Sequence, residues 1–297
     1  MQNCNPVTVP FPAKCDDILA QLATPIENPD PKLVKEFQTL CCGLPYLQVH
    51  TCPETSFVVS LLSRHMTKAG ELHIALVKKV LRYLQSLKHL HLSWSAKSCN
   101  PPHVPGEIYG WIDSSFADIK SHDNTHRVSS IGWLFMCNNG PISWRSTKTP
   151  LIALNVAEIE MITLSIDSQE AIFLCKLANE LGFIQTHPTI IYEDCESAVA
   201  LSKENHFCKR SKHIDVHWSF IVEKQRHCDI KVVSVSRTIM FADILCSPRA
   251  DATFSMFRNK ILGYNTPPAV QKKGVSTTSS QKGIADDIAA NDELSRE

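Results

Sequence analysis

Glu107 to Asp113 reads EIYGWID, and its alternation decides the fold. Ile108, Gly110 and Ile112 alternate with Tyr109, Trp111 and Asp113, the period of a strand that buries one face. The run closes on a carboxylate, which predicts a negative charge at the rim of a sheet. Three acids downstream stand in settings that return them to that rim: Glu160, Asp194 and Asp243.

Strand patterning continues from there. Ser130 to Cys137 (SIGWLFMC) is a second apolar strand, Asn138-Asn139-Gly140 is a hairpin turn, and Pro141 to Arg145 begins a third strand. Leu151 to Leu154 leads into a helix from about Val156 to Leu181, stopped by Gly182. His187 to Tyr192 (HPTIIY) is a short buried strand ending at Glu193-Asp194. Ser197 to Leu201 starts a small helix, Lys209 to Lys212 is a basic connection, and Ile214 to His227 is another helix. Asp229 to Ser236 alternates as a fifth strand, and Phe241 to Leu245 begins a final helix. Two hairpins followed by βα units predict an α/β fold with a mixed sheet and helices over its faces.

Upstream, residues 1–31 are rich in Pro, Asn and Asp and read as an extended, weakly structured lead. Residues 32–94 are helical, with a basic side at Lys78, Lys79 and Arg82. Residues 95–106 (SAKSCNPPHVPG) hold three prolines and read as a linker between this segment and a domain at 107–250. Residues 264–297 are polar, poor in aromatics, and read as a disordered tail. Asp16-Asp17 superficially matches the paired aspartates of a polymerase, but its Pro-rich flanks point to a polar loop.

Composition bounds the function. The chain has 297 residues, 43% of them hydrophobic, enough for a real core. Its 30 basic and 30 acidic residues cancel, so nucleic-acid binding must rest on local patches. No apolar run is long enough for a membrane span, and no secretory signal opens the chain. The twelve cysteines form no CxxC pair, which predicts reduced thiols and a cytoplasmic or nuclear location.

Asp113 closes the first strand and Asp194 the fourth, and neighbouring parallel strands set such ends side by side. Asp243 lies in the first turn of the last helix. Glu160 and Glu158 compete at the start of the long helix. Glu160 shares its face with Leu164, Ala171, Leu174, Ala178 and Leu181, so it sits over the sheet, and Glu158 reads as a helix-end charge favoured by the dipole. Four converging acids repel unless cations neutralise them, and hard oxygen donors suit two Mg²⁺ or Mn²⁺ ions. Taken singly, each acid is also an ordinary cap or surface charge.

Arg145, Lys148, Lys209, Arg210 and Lys212 are candidate phosphate contacts, with a solvated loop as the competing reading. Trp144 and Trp218 are candidate stacking residues, though aromatics in such elements are more often core. His213 and His217 with Cys208 lack a fourth ligand for zinc, and Cys41, Cys42 and Cys195 lack an adjacent base.

From Glu107 to about Pro248 the chain resembles the ribonuclease H domain of copia-type long-terminal-repeat retrotransposon polyproteins. The resemblance rests on GWIDSSFAD (110–118), RVSSIGW (127–133), GPISWRSTKTP (140–150), ALNVAEIEMITL (153–164), YEDCESAVAL (192–201), KRSKHIDVHWSFIVEK (209–224) and FADIL (241–245). Residues 39–92 resemble the end of the reverse transcriptase in the same polyproteins, notably at CPETSFVVSLLSRHM (52–66) and KVLRYLQSLKHLHL (79–92). The resemblance implies a ribonuclease H-like five-stranded sheet of order 3-2-1-4-5 with the second strand antiparallel. It places the metal ligands on Asp113, Glu160, Asp194 and Asp243. It implies cleavage of the RNA strand of RNA–DNA hybrids with two Mg²⁺ or Mn²⁺ ions, and a reverse transcriptase domain as partner.

The sequence departs from the family pattern at Ser115, Cys195 and Glu196, at Asn155 and Val156, and within Ile239-Met240. The polymerase palm, protease and integrase signatures are missing. These departures leave open a second reading, a drifted and inactive remnant that keeps the fold, and a third, in which the helical part docks on a separate polymerase.

Overall fold

The computed structural model describes residues 4–98, 103–119, 128–149, 155–203 and 212–264. Its sheet grows from the hairpin at Asn138-Asn139. Both residues take positive φ (51° and 59°), and Cys137 pairs with Gly140 across them. That two-residue turn matches the twist of the strands it joins, and Asn tolerates its left-handed backbone. The flanking strands are β1 (Ile108–Ile119), β2 (Val128–Cys137) and β3 (Gly140–Lys148).

Five helices precede them: α1 (Asp16–Ala23), α2 (Pro31–Cys41), α3 (Leu44–His50), α4 (Ser56–Ser63) and α5 (Glu71–Ser86). After β3 come α6 (Val156–Glu180), β4 (Thr189–Glu193), α7 (Glu196–Lys203), α8 (Lys212–Arg226), β5 (Ile230–Ser234), α9 (Asp243–Cys246) and α10 (Asp251–Ile261). The sheet runs β3-β2-β1-β4-β5, with β2 antiparallel to β1 and β3 and with β1, β4 and β5 parallel. This is the ribonuclease H-like α/β arrangement.

Alternation along β1 divides the core. Ile108 and Ile112, with Trp133 and Phe135 of β2, pack against Met161 and Leu164 of α6. Tyr109 and Trp111 face the other way, onto Met240, Ile244, Leu245, Phe254 and Phe257. Val9 and Tyr83 share this second cluster, so the helical segment packs against the sheet. The segment also has its own core around Phe37, Leu62, Val77 and Val80.

Three expectations are corrected. The stretch read as an extended lead contains α1, because Leu19 and Leu22 fall on one helical face and bury with Phe11 and Cys15. The expected final helix at Phe241–Leu245 is only the short α9, and α10 follows it, burying Phe254, Phe257 and Ile261. Asp113 does not end its strand: β1 runs on to Ile119, although its pairing with β4 stops at Trp111. Glu158 stands in the first turn of α6, the helix-end position expected of it, and is buried like Glu160, on a helix that packs against β1, β2, α7 and α8. The linker stretch is tied to the hairpin by Ser95 N–H to the Asn138 carbonyl (2.7 Å) and Gly106 N–H to Asn138 Oδ1 (2.8 Å). The tail read at 264–297 lies outside the described residues beyond Tyr264. No helix among the described residues is long and apolar enough to cross a membrane.

Candidate active site

Register brings the first two acids together. Trp111 lies opposite Tyr192 in the parallel β1–β4 pair, so Asp113 and Asp194 each stand two residues further along neighbouring strands. Glu193, paired with Ser234, fixes the turn that carries Asp194 by accepting from Cys195 N–H at 3.0 Å. Glu160 comes from the second turn of α6, whose start Asn155 caps by accepting from Glu158 N–H at 2.9 Å.

Asp243 arrives on α9, which rests directly on the β1–β2 pair. Gly132 sits opposite Asp113. A Cβ there would meet Cys246 Sγ at 2.9 Å and Leu245 Cβ at 3.0 Å, so only glycine admits the helix this close. Cys246 Sγ donates to the Asp113 carbonyl at 3.1 Å, and Ser115 Oγ donates to the Cys246 carbonyl at 3.4 Å. Ser115, one of the departures from the family pattern, thus ties β1 to α9.

The four carboxylates feel one another. Burial pushes Asp113 well above the usual carboxylate range, and the charges of Glu160, Asp243 and Asp194 add to the rise. Glu160 is pushed up to about 8 by burial, eased by Ser114 and Arg237 and reinforced by Asp194. Burial also raises Asp243 against the opposing charge of Arg249. Two further acids share the neighbourhood and stand outside the sequence-predicted set. Glu193 and Asp167 are fully buried, and burial followed by the charge of Glu160 raises both well above normal. The strand-end pair Glu193-Asp194 is a usable signal for the first. The second hides in the helix pattern.

Two arginines complete the site, and no sequence motif marks either of them. Arg237, in a single helical turn after β5, donates from Nε to Asp194 Oδ2 at 3.1 Å. Arg249 donates from Nη2 to Asp243 Oδ1. In this arrangement no group of three or more His, Cys, Asp or Glu among the described residues is gathered closely enough to hold a metal ion.

No family model matches the chain. It is 29% identical over 245 residues to the retrovirus-related Pol polyprotein from transposon TNT 1-94 of Nicotiana tabacum, covering 82% of this chain and 18% of that protein. It is 30% identical over 241 residues to the Pol polyprotein from transposon RE2 of Arabidopsis thaliana, covering 81% of this chain and 16% of that one. The chain is homologous to copia-type Pol polyproteins over most of its length. It spans less than a fifth of the length of these Pol relatives. Among solved structures, a foamy viral protease-reverse transcriptase in complex with RNA/DNA hybrid aligns at 18% identity and a TM-score of 0.33, over 64% of this chain and 27% of that one.

The remaining candidate residues of this Pol-type chain scatter. Arg145 and Lys148 are exposed on β3, and the Arg145 guanidinium lies 5.4 Å from the Trp133 ring centroid. Lys209, Arg210 and Cys208 fall outside the described residues, and of Lys212 and His213 only the backbone is described. Trp218 is core, donating from Nε1 to the Leu201 carbonyl at 2.9 Å. Trp144 donates to the Gln48 carbonyl at 2.8 Å and so joins β3 to the helical segment. On the basic side of α5, Lys78 pairs with Glu36 at 2.9 Å and Arg82 donates to the Asn5 carbonyl at 2.7 Å. Burial pushes the Cys41 thiol up to about 11, away from reactivity.

Proposed function

We propose that this chain is a metal-dependent endonuclease that cuts the RNA strand of RNA–DNA hybrids, as part of a retrotransposon Pol polyprotein. The convergence of Asp113, Glu160, Asp194 and Asp243 from β1, α6, β4 and α9 carries this reading. The donors are all hard oxygens, the set that suits Mg²⁺ or Mn²⁺. Glu160 Oε2 is buried with no hydrogen-bond partner, an acceptor left for a cation. Asp113, Glu160, Asp194 and Asp243 are the residues that would hold such ions. The chemistry such ions would supply is activation of a water and stabilisation of the leaving oxygen. The protein's own part is placement. Burial fixes the Asp113 and Glu160 side chains, the Glu193–Cys195 bond holds the turn of Asp194, and Gly132 seats the helix of Asp243. Hybrid recognition then rests on 2′-hydroxyls and backbone shape, with Arg145, Lys148, Lys209, Arg210 and Lys212 as phosphate contacts and a reverse transcriptase domain as partner.

A second reading, an inactive remnant that keeps the fold, is favoured by one observation: Asp194 and Asp243 are both occupied by arginines. Cleavage of an end-labelled hybrid in Mg²⁺ separates the two. The endonuclease reading expects product from the wild type and at least about a hundredfold less from Asp194→Asn. Equal product from both supports the remnant.

A further inference from the structure

We propose that Arg237 and Arg249 are built-in cations that close the carboxylate site, and that a divalent metal ion must displace them to bind. This rests on the endonuclease reading of the four carboxylates and adds a competition within the chain for the same oxygens.

The geometry supports displacement over permanent structure. Arg237 reaches Asp194 at 3.1 Å, yet its side chain is 87% exposed while that of Asp194 is 10% exposed. The guanidinium therefore lies over the mouth of the site, and its one side-chain hydrogen bond among the described residues is to Asp194. The core keeps all its packing if it leaves. Arg249 holds Asp243 through Nη2 alone, and its Nε is buried with no hydrogen-bond partner. A structural arginine in a low-dielectric setting normally satisfies its fork with two bonds to one carboxylate. Both arginines instead make single contacts, each to one of the two acids on the rim, and leave Asp113 and Glu160 beneath.

The electrostatics agree with a stand-in role. Four acids converging in a buried site repel one another, and a cation is what relieves them. Arg237 pairs with Asp194 at 3.1 Å and Arg249 pairs with Asp243, so each rim acid already faces one positive charge. The two guanidinium groups thus do for the folded chain part of what metal would do. With the arginines in place, no three of the His, Cys, Asp or Glu side chains among the described residues are gathered to hold an ion. Displacement frees two oxygens and leaves an exposed guanidinium at the rim, placed to meet a backbone phosphate.

The test is Mn²⁺ binding by calorimetry and by electron paramagnetic resonance, on the full chain without nucleic acid. Arg237→Ala carries it, because so exposed a side chain is not needed for folding. It is expected to bind Mn²⁺ about fivefold tighter than wild type at unchanged stoichiometry, the effect of removing one competing ion pair. Arg237→Ala/Arg249→Gln is expected to bind tighter again. Affinities in both variants equal to or weaker than wild type, with Asp113→Asn still weakening binding, would overturn the gate and leave the metal site standing. Mn²⁺ binding indifferent to Asp113→Asn in every background would overturn the endonuclease reading, and the gate with it.

Discussion

Gly132 lies opposite Asp113 in the β1–β2 pair, and α9 rests on the glycine so closely that a Cβ there would meet Cys246 Sγ at 2.9 Å. One residue without a side chain thus sets the separation between the strand of Asp113 and the helix of Asp243. Gly132→Val forces α9 away. Overpacking of this kind costs about 2 kcal/mol, read as a lower urea midpoint. Hybrid cleavage is expected to fall further than stability does, because Asp243 moves with its helix. A variant with full stability and full activity would show that α9 is not seated on this glycine.

Glu54 gives the fold a pH dependence separate from the site. It is buried at the junction of the helical segment with α10. Its Oε1 accepts from Tyr83 Oη at 3.4 Å, and its Oε2 has no hydrogen-bond partner. Burial pushes its carboxyl up to about 7 from an ordinary value of 4.5. The folded form therefore holds the proton more tightly than the unfolded chain. The resulting stability is complete below about 4.5 and is lost as pH rises through about 7. In metal-free protein Glu160, at about 8, extends the same fall. Urea midpoints are expected to drop from pH 5 to pH 8. Glu54→Gln is expected to flatten the lower part of that drop and to stabilise the protein at pH 8, by on the order of 2 kcal/mol. An unchanged slope in the variant would remove Glu54 from the explanation.

Local pattern carries much of the fold. The alternation of EIYGWID, the Asn-Asn-Gly turn and the βα order specify five strands, because period and turn chemistry are properties of neighbouring residues. The pairing of Asp113 beside Asp194 follows from parallel register alone. What stays hidden depends on long-range contact. Glu158 reads as a helix-end charge and stands in the first turn of α6, but its burial is invisible to a helix-face argument, because α6 packs against both the sheet and α8. Arg237 and Arg249 stand 43 and 6 positions from the acids they hold, in segments without regular pattern. The helix α10 is legible in Phe254, Phe257 and Ile261 at helical spacing, but lies beyond the last matched motif.

Trp144 links β3 to the helical segment by donating from Nε1 to the Gln48 carbonyl at 2.8 Å. Trp144→Phe keeps most of the ring and removes the donor, leaving a partly buried carbonyl without that bond. The expected cost is about 1 kcal/mol, and it should show up as faster protease cleavage between α3 and α4 as well as a lower urea midpoint. A drop in global stability with no change in cleavage there would mean that the bond does not hold the segment in place.

Arg145 and Lys148 are the described members of the basic set, both exposed on β3, and they differ in a way that can be measured. Lys148 is at the end of its strand. Arg145 lies over the Trp133 ring, 5.4 Å from guanidinium carbon to centroid, so its charge is held in one position before any ligand arrives. Removing one cation that pairs with a phosphate should lower the slope of log affinity against log salt by about 1. Anisotropy titrations of labelled hybrid, in Ca²⁺ to prevent cleavage, are expected to show this for Arg145→Ala and for Lys148→Ala. Arg145→Lys separates charge from placement. It keeps the cation but gives up the planar stack, so the salt slope should hold while affinity falls. If both alanine variants keep the wild-type slope, the hybrid does not lie along β3.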